Sequence, residues 1–446
     1  MQSKNELKLK NLTMKHLSKT AVALGLFASV ASSDLLAQDK VKITGEVRPR
    51  TELRNGFKKP MRSAIDPAIF TEQRTRLNAM YSSDKFDATI SLQDVRMWGA
   101  VSQIYKTDPS LSNVYEAYAK YKFSPKSGIA VGRMALNYDN SRFLGSLAWA
   151  QQARSHDLAL YTVQDSSYKF HLGVAFNQDA STPEFAKLNS TFYTGVNNYK
   201  TMQFAWFHKD AGDYNFSLLA LNNGVEHGVV DTSKVRFSQT WGFIGKKVKG
   251  DVKGTLELYA HTGEDAGGNQ MDGYLAAASI TFGQIKKAPL TIGADYLSGT
   301  PAGSSVNSAF SPMYGTNHKF YGLMDYFYVG NGHSNAGLFD AYLKTKFKVG
   351  DKSALVVHLH NFAATVDVAD PTSTTGENLS SQLGQEIDLV YVVKLSKAVN
   401  FKLGYSQLFK TTTMDAIKGV YNATNLSDYN GWAWAMLTFK PTFYSK

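Results

Sequence analysis

Residues 41–48 read VKITGEVR, and apolar and polar side chains alternate along them one by one. The apolar residues and the glycine occupy the odd positions, and the charged or hydroxylated residues occupy the even ones. The same alternation recurs at 339–347 (FDAYLKTKF) and, less strictly, at 386–394 (EIDLVYVVK). Side chains of an extended strand point to opposite faces in turn, so a period of two predicts strands with one apolar and one polar face.

The lengths of the connections between these segments distinguish a membrane barrel from other all-β folds. Eight connections of two to four residues alternate strictly with nine longer ones, which gives eighteen strands and both termini on the short-turn side. Short turns at one end and long loops at the other are typical of bacterial outer-membrane barrels, in which the turns are periplasmic and the loops extracellular. The predicted strands lie near 41–53, 70–82, 85–98, 112–123, 127–137, 155–164, 168–177, 197–209, 212–223, 234–248, 251–262, 271–283, 288–297, 334–348, 353–363, 384–395, 398–411 and 431–440.

The physical demands of a bilayer agree with this prediction. A tilted strand of about ten residues crosses the hydrocarbon layer, and closure of the sheet pairs every backbone group without an exposed edge. Aromatic residues also gather near the predicted strand ends, as they do in the girdles of such barrels. A soluble β protein with an aromatic core is the alternative, but a propeller would repeat every four strands and no such repeat is present in the sequence.

Composition narrows the function classes. The 446-residue chain has no cysteine, and its 48 Lys and Arg against 37 Asp and Glu give a formal charge of +11. The lack of cysteine excludes a disulfide framework, a thiolate zinc site, a thiol nucleophile and a lipid-anchored N-terminal cysteine. No change in composition divides the mature chain, so residues 38–446 are predicted to form a single barrel domain.

The N-terminal segment is predicted to be a signal peptide covering residues 1–37. An eleven-residue apolar run at 21–31 follows two lysines, and a small residue precedes a cleavage point before Gln38. The run is too short to span a bilayer, and translation starts either at Met1 or at Met14. A buried N-terminal helix is the alternative. The expected location is the outer membrane of a Gram-negative bacterium, with both termini periplasmic.

The polar faces of the strands carry charges of both signs, and we expect them to line the lumen. An Arg or Lys facing lipid at mid-bilayer costs about 2–4 kcal/mol, which favours an inward orientation. Ten of the eleven arginines precede residue 155, and guanidinium groups suit fixed contacts with carboxylate or phosphate. This predicts an anion pathway along one wall, with pairing of Arg and Glu as the purely structural alternative. The inward candidates are Glu46, Arg48, Arg50, Glu72, Arg74, Arg76, Glu116, Lys120, Glu257, Asp340, Lys344, Glu386 and Asp388.

The longest loop, 298–333, is too apolar and aromatic for a segment in open water. We expect it to fold back into the barrel, where it constricts the lumen or caps its mouth. The alternative is a pair of strands that extends above the membrane. The residues expected to form the constriction are Tyr314, His318, Lys319 and Asp325.

An ordered set of short segments resembles the alginate-export family of outer-membrane porins, in its Bacteroidetes-type form. The resemblance implies an eighteen-stranded barrel whose arginine-rich, mixed-charge lumen passes an anionic polysaccharide. It also implies that the arginines at 48, 50, 74, 76, 96, 133, 142 and 154 face the pathway, although the alternation leaves the facing of Arg96 and Arg133 open. One departure is the C-terminus, where the last aromatic lies two residues from the end, so that the signal for the assembly machinery is weaker. The segments are GEVRPR at 45–50, QRTRL at 73–77, QDVR at 93–96, GR at 132–133, RFLG at 142–145, RSHD at 154–157 and LGQEID at 383–388.

Enzyme and metal chemistry find little support in the sequence. No G-x-S-x-G motif is present. His358 and His360 share a strand face and could hold a metal, but we predict that they are ordinary wall residues, with no metal, cofactor or catalytic residue. The expected partners are outer-membrane lipid, the outer-membrane assembly machinery and a small anionic or saccharide solute, and no nucleic acid. A barrel hydrolase or deacylase, and a plugged barrel serving as an adhesin or docking protein, are the alternative functions.

Overall fold

The computed structural model describes residues 39–100, 112–178, 193, 198–228, 233–285, 288–327 and 332–446, so the predicted signal peptide lies outside it. In this part of the chain nineteen strand segments form one sheet, and the longer connections contain a short 3-10 turn at Asn317–Lys319 and a helix, α1, at Thr412–Ile417. The strands are Lys40–Asn55 (β1), Ala68–Ser82 (β2), Phe86–Met97 (β3), Ser112–Ser124 (β4), Ser127–Met134 (β5), His156–Gln164 (β6), Tyr168–Phe176 (β7), Thr201–Ala211 (β8), Tyr214–His227 (β9), Lys234–Lys249 (β10), Val252–Gly263 (β11), Tyr274–Ile285 (β12), Ala288–Leu297 (β13), Leu338–Gly350 (β14), Ser353–Ala363 (β15), Gln382–Lys394 (β16), Val399–Lys410 (β17), Asn430–Phe439 (β18) and Thr442–Ser445 (β19).

Each strand from β1 to β18 pairs antiparallel with its sequence neighbours, and β1 pairs with β18 to close the sheet. The β1–β2 pair is regular over its whole length, from Lys40 opposite Ser82 to Arg54 opposite Ala68. Closure gives the strands partners on both edges, which a sheet inside lipid requires. The predicted all-β barrel of eighteen strands is therefore confirmed, and most predicted strand ends lie within three residues of the observed ones. In the described residues no helix is of the length and apolar character that crossing a membrane demands.

The closing seam differs from the prediction in one detail. The last strand is interrupted at Pro441, which has no N–H to donate, and the chain resumes as β19. The Pro441 carbonyl still accepts a hydrogen bond from the Gly45 N–H at 2.9 Å, and Tyr444 lies opposite Ile43. The C-terminal aromatics are therefore part of the seam, although they are displaced from the chain end.

The two faces of the barrel follow the alternation in the sequence. Along β1, Val47 and Leu53 are exposed on the outer face, whereas Glu46, Arg48 and Glu52 are buried inside. Exposed apolar side chains also mark the outer face of the other strands, as contact with lipid requires. Exposed aromatic side chains mark both ends of the wall: Phe86, Tyr121, Phe123, Tyr214, Phe347 and Phe439 at the short-turn end, and Trp98, Phe176, Phe237, Tyr274 and Phe409 at the long-loop end.

Two connections at the long-loop end turn into the barrel instead of away from it. We call them inner loop 1 (residues 135–155) and inner loop 2 (residues 298–327). They pack on a ring of inward apolar side chains in the long-loop half of the wall, so the hydrophobic core of this protein lies inside the barrel. Fully buried members of this core include Met202, Phe204, Leu221, Leu275, Leu297, Phe310, Met324, Tyr326, Leu338, Phe362, Leu383, Leu408 and Trp432.

Candidate functional site

Three guanidinium groups on one side of the lumen converge on the backbone of inner loop 1. Arg48 and Arg74 are directly opposite on β1 and β2, and Arg50 follows on the same face. Arg48 donates from Nη1 to the Ala148 carbonyl at 2.8 Å and from Nη2 to the Trp149 carbonyl at 3.1 Å. Arg50 donates from Nη1 to the same Trp149 carbonyl at 2.9 Å and lies 4.4 Å from the centre of its ring. These arginines therefore anchor a loop that crosses the lumen.

Carboxylates on the same strands pair with two of these arginines. Arg74 Nε donates to Glu46 at 2.8 Å, and Arg50 Nε donates to Glu52 at 2.7 Å. Arg48 instead bonds the Gln151 side chain, at 2.9 Å, and the backbone carbonyls. Pairing within the wall and anchoring of the loop thus coexist, and Arg48 is held mainly by neutral acceptors.

The fourth arginine of this wall stands apart from inner loop 1. Arg76 donates from Nε to Gln93 at 3.0 Å, and its guanidinium lies 3.5 Å from the centre of the Tyr115 ring. Its Nη2 is buried and has no hydrogen-bond partner within the described part of the chain. Lys120 also faces the lumen, opposite Asp87. We refer to Arg48, Arg50, Arg74 and Arg76 as the basic wall.

Two of the predicted pathway arginines are on the wrong face. Arg133 follows the parity of Val131, which is exposed on the outer surface, and it pairs there with the exposed Asp157 at 3.4 Å. Arg96 lies opposite Gln73 on the outer face and forms a two-pronged pair with Asp94 at 2.6 and 2.7 Å. Both positions are near the long-loop end, where the headgroup region removes the penalty that excludes charge from mid-bilayer. The prediction that they line the lumen is therefore corrected.

Strands β11 to β16 carry buried carboxylates on their inward face. We refer to Glu257, Asp295, Asp340, Glu386 and Asp388 as the acidic wall; all face inward and are at most 6% exposed. Four of them were expected from the alternation, but Asp295 was missed. Its signal was present, since it is the only charge in the otherwise apolar segment 288–297.

Arg142 of inner loop 1 reaches across to the acidic wall. Its Nε donates to Glu257 at 2.7 Å and its Nη2 donates to Asp295 at 2.9 Å, while Nη1 donates to the Tyr321 hydroxyl at 2.6 Å. Burial by itself lowers the pKa of Arg142, but the carboxylates of Asp295 and Glu257 outweigh it and raise that pKa well above its usual value. The predicted residue Arg142 is therefore a fixed cation that ties the loop to the acidic wall.

The two inner loops interlock. The Gly145 N–H donates to the Tyr314 carbonyl at 2.8 Å, and Arg154 donates from Nη1 to the Gly315 carbonyl at 2.9 Å. Gly315 is required at this point, because a Cβ there would collide with the Arg142 carbonyl. The two loops therefore form one body that fills the centre of the lumen.

Aromatic stacking reinforces this body. The ring of His318 stacks on Trp149, with 4.5 Å between centres and 11° between planes. His318 Nδ1 is also 2.6 Å from the Asp325 carboxylate. One pair of residues predicted to form the constriction is therefore held against the loop that the basic wall anchors.

Inner loop 2 also contacts the wall directly. The Tyr314 hydroxyl donates to Asn223 at 2.6 Å, and the Met324 N–H donates to Glu386 Oε1 at 2.8 Å. Lys319 donates to the Asn140 carbonyl at 2.9 Å, and burial lowers the pKa of its amine. The loop folds inward rather than extending above the barrel, and its role as a constriction stays a prediction.

Below the two loops, the short-turn half of the lumen is rich in lysine. Eight inward lysines on six strands lie in this half of the lumen. Few carboxylates lie beside them; one is Asp87, which pairs with Lys122 at 2.6 Å. Sequence reasoning singled out only two of these lysines as lumen residues. The eight are Lys120, Lys122, Lys169, Lys246, Lys253, Lys344, Lys346 and Lys402.

Backbone strain is concentrated in the inner loops. Of the twelve non-glycine residues with positive φ in the described ranges, eight lie in these two loops, five of them in inner loop 1. Leu144 and Leu147, at φ of 48° and 51°, are unusual because a branched side chain disfavours this region. Such residues cost about 1–3 kcal/mol each and persist only where surrounding contacts hold them.

Comparisons with known proteins agree with the fold. A family model described as alginate export matches residues 39–422. No curated protein matches the chain. Among solved structures, OccAB4 of Acinetobacter baumannii is 10% identical with a TM-score of 0.58, and the match covers 92% of this chain and 100% of that one. OpdO of Pseudomonas aeruginosa is 14% identical with a TM-score of 0.56, covering 92% and 99%. The outer-membrane protein OpdK of the same species is 12% identical with a TM-score of 0.54, covering 92% and 100%. At such identities the likeness shows the fold alone.

Proposed function

This chain belongs to the alginate export family and is an outer-membrane channel protein, and from that premise we propose that it passes anionic solutes, an acidic oligosaccharide or polysaccharide among them. The single observation that carries this proposal is that the hydrogen bonds of Arg48 to the described residues all go to neutral acceptors. A guanidinium bonds a carboxylate or phosphate about twice as strongly as it bonds a neutral carbonyl. An anion entering the lumen therefore competes with the Ala148 and Trp149 carbonyls for this arginine.

The rest of the lumen supports the same proposal. The lysine-rich half would concentrate anions next to the basic wall, because low-dielectric walls focus the field of a single-sign patch. The unpartnered Nη2 of Arg76 offers a further donor in this direction. Displacement of inner loop 1 from the arginines would open a path, and the strain in that loop reduces the cost of moving it. The orientation that accompanies this proposal has the short turns and both termini in the periplasm.

The main test is the reversal potential of the full-length protein in planar bilayers under a KCl gradient. We expect chloride to pass faster than potassium. Substitution of Arg48→Gln, Arg50→Gln and Arg74→Gln together should reduce the permeability ratio at least about twofold, because three fixed charges leave the pathway. The matched control is Arg133→Gln, which removes an arginine from the outer face and should leave the ratio unchanged. Cation selectivity of the unmodified protein would contradict the anion pathway.

The saccharide part of the proposal has its own measurement. Acidic oligouronates added to the bilayer chamber should interrupt the current, and neutral oligosaccharides of equal length should do so far less, because only the acidic chain can replace the loop carbonyls on the arginines. Equal interruption by both would leave an anion channel without preference for acidic sugars.

A second candidate is a plugged barrel that docks a partner. The interlocked inner loops favour it, since they fill the centre of the lumen. An absence of conductance under all conditions would support this alternative over the channel. We propose a channel rather than a hydrolase, and ester or amide turnover by the solubilised protein would contradict that choice.

A further inference from the structure

Two histidines and an aspartate of the acidic wall form a compact cluster inside the barrel. His358 and His360 are two residues apart on the inward face of β15, and Asp388 on β16 lies directly opposite His358. One ligand atom from each of the three residues can be chosen so that all lie within 4.8 Å of one another. The side chains of His360 and Asp388 are each only 1% exposed. Neither the channel function nor the contacts of the inner loops uses His358 or His360.

Hydrogen bonds orient this cluster and leave its central atoms without partners. Asp340 accepts a hydrogen bond from His360 Nδ1 at 2.8 Å, which fixes the ring so that Nε2 points toward Asp388 Oδ2 at a separation of 4.0 Å. Ser406 donates to Asp388 Oδ1 at 2.5 Å. His360 Nε2 and Asp388 Oδ2 have no hydrogen-bond partner among the described residues. Two buried, oriented atoms that could each bind a metal therefore lie 4.0 Å apart.

The balance of buried charges around the cluster also favours a bound cation. In the described part of the chain, the buried carboxylates of Asp295, Asp340, Glu386 and Asp388 have Arg142 and Lys344 as neighbouring cations, and Arg142 also pairs with Glu257. The carboxylates therefore outnumber the cations. Buried carboxylates in excess of their cations are costly, and a bound divalent ion is one way to compensate them.

We propose that His358, His360 and Asp388 bind a divalent transition-metal ion of the zinc type in the wall of the lumen. Two imidazoles and one carboxylate are a donor set that zinc uses with a fourth position open. A carboxylate behind a ligating histidine, the place of Asp340 here, is the usual second support of such sites. In tetrahedral zinc sites donor atoms lie about 3.4 Å apart, so the three side chains close by about 1 Å on binding.

Glu386 connects the proposed site to inner loop 2. Glu386 precedes Asp388 on the same face of β16, and its Oε1 already accepts the Met324 N–H of inner loop 2. Its Oε2 has no partner within the described chain. The metal site therefore lies one side chain away from the body that fills the lumen. The site departs from the sequence-based expectation that the two histidines are ordinary wall residues.

The test is zinc binding to the full-length protein, purified in detergent without a polyhistidine tag. We expect equilibrium dialysis to give one Zn²⁺ per chain, released by a chelator. His360→Gln and Asp388→Asn should each weaken binding at least about tenfold, and Asp340→Asn, as a positioning change, should weaken it by about 10–100-fold. Asp340→Asn should also leave two imidazoles in the zinc X-ray absorption spectrum, whereas His360→Gln should leave one.

The matched control is His261→Gln. His261 is an equally buried inward histidine, but both its ring nitrogens have partners, Thr240 Oγ1 at 2.9 Å and the Ser311 carbonyl at 3.1 Å. Its substitution should leave zinc affinity unchanged. Failure of the unmodified protein to hold stoichiometric zinc, or equal affinity in His360→Gln, would overturn the site. If that variant does not fold, zinc absorption data on the unmodified protein decide alone, because a spectrum without imidazole scattering also overturns it.

Discussion

The basic wall and the acidic wall hold the same loop by different chemistry. On the basic wall, Arg48 donates to backbone carbonyls and an amide, which are neutral and can be replaced by an anion. On the acidic wall, Arg142 is buried between Glu257 and Asp295. Moving Arg142 away would leave the two carboxylates buried without their cation, which is costly. The difference indicates that inner loop 1 is attached firmly on one side of the lumen and exchangeably on the other.

The largest effect should come from Arg142→Gln, which breaks the firm attachment. It leaves Glu257 and Asp295 buried without their cation, and removal of one partner of a buried pair costs about 3–5 kcal/mol. Urea unfolding in detergent, followed by tryptophan fluorescence, measures the change. Arg133→Gln on the outer face should stay within about 0.5 kcal/mol of the unmodified protein. Equal effects of the two substitutions would refute the asymmetry.

Gly322→Ala tests the contact of inner loop 2 with the acidic wall. Gly322 has a φ of +81°, and a Cβ there would run into the carboxylate of Glu386. We expect a loss of about 2–3 kcal/mol, partly from strain and partly from displacement of the loop. Gly303→Ala is the control, since its φ of +78° is similar but nothing lies within 4 Å of the added Cβ. The difference between the stability losses of Gly322→Ala and Gly303→Ala measures the contact with Glu386. Equal losses would mean that inner loop 2 does not pack against Glu386.

Arg48→Gln should be milder because its acceptors can be hydrated once the loop moves. We expect a loss of about 1–2 kcal/mol in stability, the range of a few hydrogen bonds to a charged donor. More frequent open states should appear in single-channel records, because the exchangeable attachment is weakened. A stability loss as large as that of Arg142→Gln would show that both walls hold the loop equally firmly.

The last effect is gradual with pH and concerns Lys418, another cation held by carbonyls. Its amine donates to the Gly332 carbonyl at 2.7 Å and to the Tyr326 carbonyl, and burial lowers its pKa from 10.5 to about 8. Between those values the unfolded chain binds more protons than the folded one, so stability should rise with pH from about 8 to about 10.5, by about 1.4 kcal/mol per pH unit and about 3 kcal/mol in all, and be flat below. Thermal unfolding at stepped pH measures this rise. The rise in stability with pH should vanish in Lys418→Met. If stability rises as steeply in this variant as in the unmodified protein, another titrating group causes the rise.

The barrel could be predicted because its determinants are local. Alternation with period two assigns each side chain of 41–48 to one face of its strand. The alternation of short and long connections gives the number of strands without knowledge of any contact. The alternation left the facing of Arg96 and Arg133 open, and the implication of the family resemblance that they line the lumen was wrong, because a charge near the rim is tolerated on the outer face. Asp295 was missed, although it is the only charge in the segment 288–297.

The inner loops could not be predicted in the same way. The apolar and aromatic content of the segment 298–333 indicated that this loop does not extend into water. Its partner in the structure, inner loop 1, could not be identified, because backbone hydrogen bonds join the two loops and impose no periodic pattern on the sequence. The predicted arginines at 48, 50, 74 and 76 do face inward, yet three of them, Arg48, Arg50 and Arg74, also bond carbonyls more than 70 residues away in sequence.

By itself, the sequence determined the strand number, the two faces and the clustering of arginines in the first third of the chain, because each of these depends on spacing along one strand or one turn. Tertiary structure alone decided which charges meet. Inner loop 1 reaches β11 and β13 inside the barrel, and only then do Arg142, Asp295 and Glu257 become neighbours. The register of β14, β15 and β16 places His360 beside Asp340 and Asp388. Contacts between distant segments depend on register and closure, which no single stretch of sequence contains.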